Sequence, residues 1–267
     1  MTVRWRQVHL AVRVPAAADT TGVDFSGFER LARVAERGLF DFLLFDAGPV
    51  GRPEPIALLN ALAGVTARVG LAAAVGGTGG EPYELARRLA TLDHLSAGRA
   101  GWLEGAWTAA GVPDGAGLPR CPQGRPVVIR AGEGERALAA AVASADVMVV
   151  PHRPLAASRA RYADVKRRLV AYGRAPEELK VLAGVSVGLG GTAGEASFVG
   201  TPEAVADALH SYVREGAVDG YVLAAHEVEE FVDRVVPLLQ ERGAFRVEYA
   251  GTTLRSHLGV PHPEGVF

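Results

Sequence analysis

Short runs of β-branched and aliphatic residues alternate along the chain with stretches whose apolar positions recur at helical spacing. That rhythm predicts βα units around a parallel sheet. The first strand is expected over residues 8–14 (VHLAVRV), followed by a helix over 24–37 that carries Phe28, Leu31, Val34 and Ala35 on one face and stops at Gly38. Further strands are expected at 40–45, 68–75, 99–103, 126–130, 146–150, 181–189 and 219–224. Helices are expected between them at 53–66, 81–95, 133–144, 155–172 and 201–215, with a last one at 227–242. Pro53, Pro55 and Pro202 suit first turns, and Thr201 suits an N-cap.

Residues 104–125 break the rhythm. Glycines and prolines crowd this stretch, with only a brief helical possibility at 104–110, so the fourth unit reads as stunted. Eight strands with seven clear helices imply a (β/α)8 TIM barrel, a single reduced barrel over residues 1–267 without an insertion domain. A doubly wound open sheet would place a glycine-rich phosphate turn after the first strand, and Val14-Pro15-Ala16 is not one. Catalytic groups are then expected on the loops after the C-terminal ends of the strands.

Composition narrows the function. The chain has 267 residues and a formal net charge of -2, which disfavours a nucleic-acid partner. No apolar run is long enough to suggest a membrane span, and MTVRWRQVHL has no signal-peptide core, so a cytoplasmic location is expected. The lone cysteine, Cys121, permits no internal disulfide or cysteine metal cluster, and no paired-histidine metal motif occurs.

Several segments carry a resemblance: EPYELARR at 81–88, LDHLSAGRAGW at 92–102, PQGRPV at 122–127, VGTPE at 199–203, DGY at 219–221, VPLLQERG at 236–243 and FRVEYAGTTLRSHLG at 245–259. Together they resemble the bacterial-luciferase-like flavin monooxygenases, in the branch that contains nitrilotriacetate and dibenzothiophene-sulfone monooxygenases. The resemblance implies a (β/α)8 barrel, reduced FMN delivered by a separate reductase, oxygenation of a small organic substrate and a homo-oligomer. Members of that family are longer. The differences fall between Trp107 and Gly111 and near residues 195–197, both on the face expected to carry function.

The family's flavin contacts are only partly retained. Its phosphate turn, typically Gln-Ala-Gly-Ser-Ser, reads here Arg130-Ala131-Gly132-Glu133-Gly134. Arg130, Gly132 and Gly134 are the candidates for an anion, whereas Glu133 and Glu135 equally suit a helix dipole. The family's Ala-Asp after the second strand is reversed to Asp46-Ala47, which turns the acid relative to the family's, since successive strand residues face opposite ways. Polar positions after the third and fourth strands have become Ala74, Gly76, Gly77 and the stretch 103–107 with Trp107. Asp46, His152 and His226 are the candidates for acid–base chemistry, with Ala74 and Trp107 lining the cofactor. His9 reads as packed, and Asp93-His94 as structural at a helix end. Two alternatives stay open beside the monooxygenase: a flavin-free binding or partner protein, and a flavin-independent enzyme.

Overall fold

A computed structural model describes residues 7–15, 25–48, 53–75, 82–103, 120–190 and 196–263. Eight parallel strands close into a barrel in the order β1-β10-β7-β6-β5-β4-β3-β2. They are β1 (His9–Val14), β2 (Phe42–Phe45), β3 (Gly70–Ala74), β4 (Ala100–Leu103), β5 (Val127–Ala131), β6 (Val147–Pro151), β7 (Lys180–Val185) and β10 (Gly220–Ala224). The helices outside are α1 (Phe25–Arg37), α2 (Pro55–Ala63), α3 (Pro82–Leu95), α4 (Glu135–Ser144), α5 (Leu155–Ala171) and α6 (Pro202–Arg214). Helix starts follow local chemistry: the Glu54 carboxylate accepts from the N–H groups of Ile56 and Ala57, and Thr201 Oγ1 accepts from Ala204 N–H.

Alternation along the strands sorts side chains into two layers. Ala11, Phe42, Leu44, Ala72, Val127, Ile129, Val147, Leu182 and Val222 fill the barrel interior. Their neighbours, such as Leu10, Val12, Leu43, Val128, Met148 and Tyr221, pack outward against the helices. Closure between β1 and β10 depends on Gly220, because a Cβ there would lie 2.0 Å from the carbonyl oxygen of His9.

Three expectations change. The run expected as one strand over 181–189 divides. After Val185 it leaves the barrel as β8 (Val187–Leu189), which pairs in parallel with β9 (Phe198–Gly200), a strand the pattern did not predict. Nine residues exceed the five that each neighbouring barrel strand uses, so the excess forms its own small sheet. The connection from Gly190 to Ser197 is shorter than the dozen residues a parallel crossover ordinarily takes. The final helix expected over 227–242 becomes a 3-10 turn (Ala225–Glu227), α7 (Val228–Arg234) and α8 (Val236–Glu241). Pro237 has no N–H and crowds the preceding turn, which separates α7 from α8. The tail, read only as a resemblance, folds as α9 (Leu254–Leu258) and plugs the barrel's N-terminal end with Leu254, Leu258 and Val260. Of the segment read as a stunted fourth unit, 104–125, residues 104–119 lie outside the described residues.

One device recurs at that N-terminal pole. Asp41, Asp146 and Asp219 each stand immediately before a strand, and each accepts the backbone N–H of an adjacent strand, from Leu10, Val128 and Val181 at 2.8, 2.8 and 2.9 Å. Each also holds a cation. Arg246 binds Asp41, Arg255 binds Asp146 through two 2.9 Å contacts, and Lys166 reaches Asp219 at 3.0 Å. Arg246 and Arg255 come from the tail, so two of the three pairs fasten the plug.

Candidate functional site

The C-terminal ends of β1, β5, β6, β7 and β10 surround a cavity of about 550 Å³ at the barrel mouth. Its wall is mostly apolar: Pro15, Ala131, Val149, Val150, Pro151, Val185, Val222, Leu223 and Ala224. Polar side chains enter from Arg13, Ser186 and Ser197, and Arg13 is the single charged residue on this wall among the described residues. The two serines hold each other's strands: Ser186 N–H donates to Ser197 Oγ and Ser197 N–H to Ser186 Oγ, at 3.4 and 3.3 Å.

Asp46 continues the interior register of Phe42 and Leu44, and its own N–H donates to Val14 O at 2.9 Å. It therefore stands on the inner side of the barrel, facing Arg13, whose Nε donates to both carboxylate oxygens at 3.0 and 2.9 Å. Sequence reasoning singled out Asp46 and missed Arg13. The available signal was a cation at the end of the alternation His9, Ala11, Arg13, in a run whose other members after His9 are aliphatic.

Ala74 ends β3 on the interior register of Ala72. Gly132 lines the cavity with φ +134°, and a Cβ there would come within 2.9 Å of Ala137 Cβ. Gly134 is the N-cap of α4 and supplies no side-chain cap, so the first N–H groups of that helix lack a capping side chain. Glu133 and Glu135 beside this turn are both paired, with Arg153 and Arg168. Arg130 alternates with Val128, a residue of the outer core, and so projects toward the helices, not into the mouth.

His152 follows Pro151, the last residue of β6. Pro151 faces the cavity; His152 faces away, against Phe198 at 4.8 Å and Tyr212 at 5.5 Å between ring centroids. Burial lowers its pKa, and Nδ1 is enclosed without a hydrogen-bond partner. The imidazole is therefore packed within an aromatic cluster. His226 lies in the 3-10 turn after β10 with its side chain 82% exposed, 3.6 Å from Glu227. Glu227 is the buried member of the pair: its side chain is 11% exposed, Oε2 has no hydrogen-bond partner, and burial raises its pKa. Backbone groups of Val187 and Ala224 hydrogen-bond it, which ties β8 to the end of β10. Trp107 lies outside the described residues. Asp93 binds Gln123 Nε2 and Ala100 N–H in the buried floor, a structural role. Among the described residues no group of three or more His, Cys, Asp or Glu side chains could hold a metal ion, and no helix is long and apolar enough to cross a membrane.

A closed parallel barrel with a cavity at the strands' C-terminal ends is the architecture of a TIM-barrel enzyme. Comparison with known proteins narrows the class. The luciferase-like monooxygenase family matches residues 7–117. N-acetyl-S-(2-succino)cysteine monooxygenase of Bacillus subtilis is 26% identical, with 98% of this chain and 99% of that protein covered. Nitrilotriacetate monooxygenase component A of Aminobacter aminovorans is 27% identical, with 94% and 93% covered. Among solved structures, EDTA monooxygenase from Chelativorans sp. BNC1 superimposes with a TM-score of 0.82 at 20% identity, covering 96% of this chain and 99% of that one. A riboflavin lyase solved with modified FMN and riboflavin gives 0.80 at 19%, covering 96% of each. The chain is a relative of the luciferase-like monooxygenases and shares their barrel. The alignment with the Bacillus protein runs over 435 positions against 267 residues here, so more than a third of those positions have no counterpart in this chain.

Proposed function

We propose that this chain is a flavin-dependent monooxygenase of the two-component type, which receives reduced FMN from a separate reductase and oxygenates a small organic molecule in the barrel mouth. The observation that carries the reading is the apolar cavity at the strands' C-terminal ends, in a chain related along nearly its whole length to named monooxygenases.

The described wall fits a flavin in size and character. A volume of about 550 Å³ lies within the usual range for cofactor sites, and Ala131, Gly184 and Ala224 leave room for a planar ring. For the phosphate, the first turn of α4 offers N–H groups behind Gly132 and Gly134. The pairing of Glu133 and Glu135 with Arg153 and Arg168 balances the negative charge beside that turn. Bound flavin would supply the oxygen chemistry. The chain's own residues would exclude water with Val149, Val185 and Val222, and position the organic molecule. The Glu227 carboxyl keeps its proton to higher pH than an ordinary glutamate and is suited to hold a proton beside the mouth.

The flavin-free reading is favoured by one observation, the scarcity of polar side chains on the described wall. Anaerobic titration with dithionite-reduced FMN, followed by fluorescence or absorbance, separates the two. Micromolar binding is expected. No binding up to about millimolar, where the binding free energy is about 4 kcal/mol, overturns the monooxygenase reading in favour of the flavin-free one.

A further inference from the structure

We propose that Arg13 forms an anion subsite in the barrel mouth that takes the carboxylate of an otherwise apolar organic substrate; it rests on the proposed function only in calling that molecule a substrate. The first support is direction. Arg13 shares the interior register of Ala11, so its side chain rises from the inner wall of β1 into the cavity it lines. The second is hydrogen-bond accounting. Asp46 receives two bonds, both from Nε. Among the described residues nothing binds Nη1 or Nη2, so the end of the guanidinium that best matches a carboxylate is open. Asp46 is itself held by its N–H bond to Val14 O, and it fixes the plane in which that fork is presented.

The third support is contrast. Arg13 is the single charged residue on the otherwise apolar described wall, and with Asp46 bonded behind its Nε the Nη groups are the charged donors this wall offers. A ligand that matches this wall has an apolar body and one anionic end.

The fourth is position. In the strand order, β5 lies four strands from β1 in either direction, so Arg13 stands across the barrel from the start of α4. The two anion positions lie on opposite walls. A phosphate on the α4 turn leaves Arg13 for a second anionic group.

Fluorine NMR titration of the full chain with para-fluorobenzoate and its neutral isostere para-fluorobenzamide tests the subsite. The wild type is expected to bind the benzoate at least about tenfold more tightly than the amide. Arg13→Gln is expected to erase that preference, and Arg13→Lys to restore part of it, since the ammonium keeps the charge without the fork. Arg13 is half exposed, so both variants should fold, which their melting curves check. Equal binding of the two probes by the wild type, no benzoate binding up to about millimolar, or an unchanged preference in Arg13→Gln overturns the proposal. A second arm compares FMN with riboflavin. If Arg13→Gln weakens FMN and spares riboflavin, Arg13 serves the cofactor phosphate and the substrate assignment falls. If the benzoate preference survives while reduced FMN fails to bind, the subsite stands and the monooxygenase reading falls; the reverse result sinks only the subsite.

Discussion

The two ends of the barrel carry their charges in opposite ways. At the N-terminal pole stand three aspartates, Asp41 and Asp146 buried and Asp219 mostly so, each bonded to a strand N–H and to a cation. At the C-terminal mouth, the described wall bears one arginine on an apolar surface, held by one aspartate and open at its far end. Residues that resemble catalytic machinery in isolation gather at the N-terminal end, opposite the mouth formed by the strands' C-terminal ends. His9, with its Nδ1 on Asp41 at 3.2 Å and Arg246 behind the same carboxylate, is an example. Bonding on every side makes such a group structural, because the carboxylate has no capacity left for a ligand. Arg13, whose Nη groups bind nothing among the described residues, is the better candidate for recognition.

The largest expected effect comes from breaking the buried pole. Arg255→Met removes both 2.9 Å contacts and leaves the buried Asp146 with Arg125, at 3.2 Å, as its cation, so chemical denaturation should show a loss of roughly 3 kcal/mol, the low end for a broken buried pair. A loss under about 1 kcal/mol would mean that Arg125 alone satisfies Asp146 and that the contrast between the ends is wrong.

Next is a pH effect. Burial depresses the His257 pKa from 6.5 to about 4, and Nε2 lies 3.1 Å from Gly251 O. Below pH 6.5 the unfolded chain takes up a proton that the folded chain refuses until about pH 4. Stability is thus full above 6.5 and falls as the pH is lowered through that window, by roughly 3 kcal/mol. Further acidification should remove the contributions of Asp41 and Asp219, whose pKa values are held below the usual carboxylate range by their cations against the opposing effect of burial. A pH series of denaturation curves for wild type and His257→Gln checks this, with a flatter slope between pH 6.5 and 4 expected for the variant.

Gly132→Ala should cost about 1–2 kcal/mol, since alanine must adopt φ +134° and its Cβ meets Ala137 at 2.9 Å. Because Gly132 lines the mouth, reduced-flavin affinity should fall in the same variant. The smallest stability effect is expected for Arg13→Gln, within about 0.5 kcal/mol in thermal or chemical unfolding. A loss comparable to that of Arg255→Met would make the two poles alike and remove the reason to treat Arg13 as a binding group.

Much of the barrel was legible because strand and helix periods differ and glycine, proline and threonine mark the boundaries. Expected and observed bounds agree closely from residue 8 to 95, and the Thr201 cap forms as expected. The division at Ser186 was not legible: residues 181–189 form a continuous β-prone run, and only barrel height decides where it departs. Nor was the side on which a candidate falls. In a sheet buried on both faces, inward and outward positions are equally apolar, so alternation does not label them. A shift of one residue separates Pro151 in the cavity from His152 against Tyr212, and Ala131 in the cavity from Arg130 on the helix side.

The sequence by itself determined the repeating βα order, the caps, and the relation to luciferase-like monooxygenases, because local propensity and aligned motifs are properties of consecutive residues. Only the tertiary structure decided that the matched tail is the barrel's plug, that three aspartates fasten one end, and that Arg13 and Asp46 meet at the other. Those facts rest on strand register and on contacts between segments far apart in the chain. Arg13 and Asp46 are 33 residues apart, yet become neighbours once β1 and β2 pair with Arg13 beside Leu44.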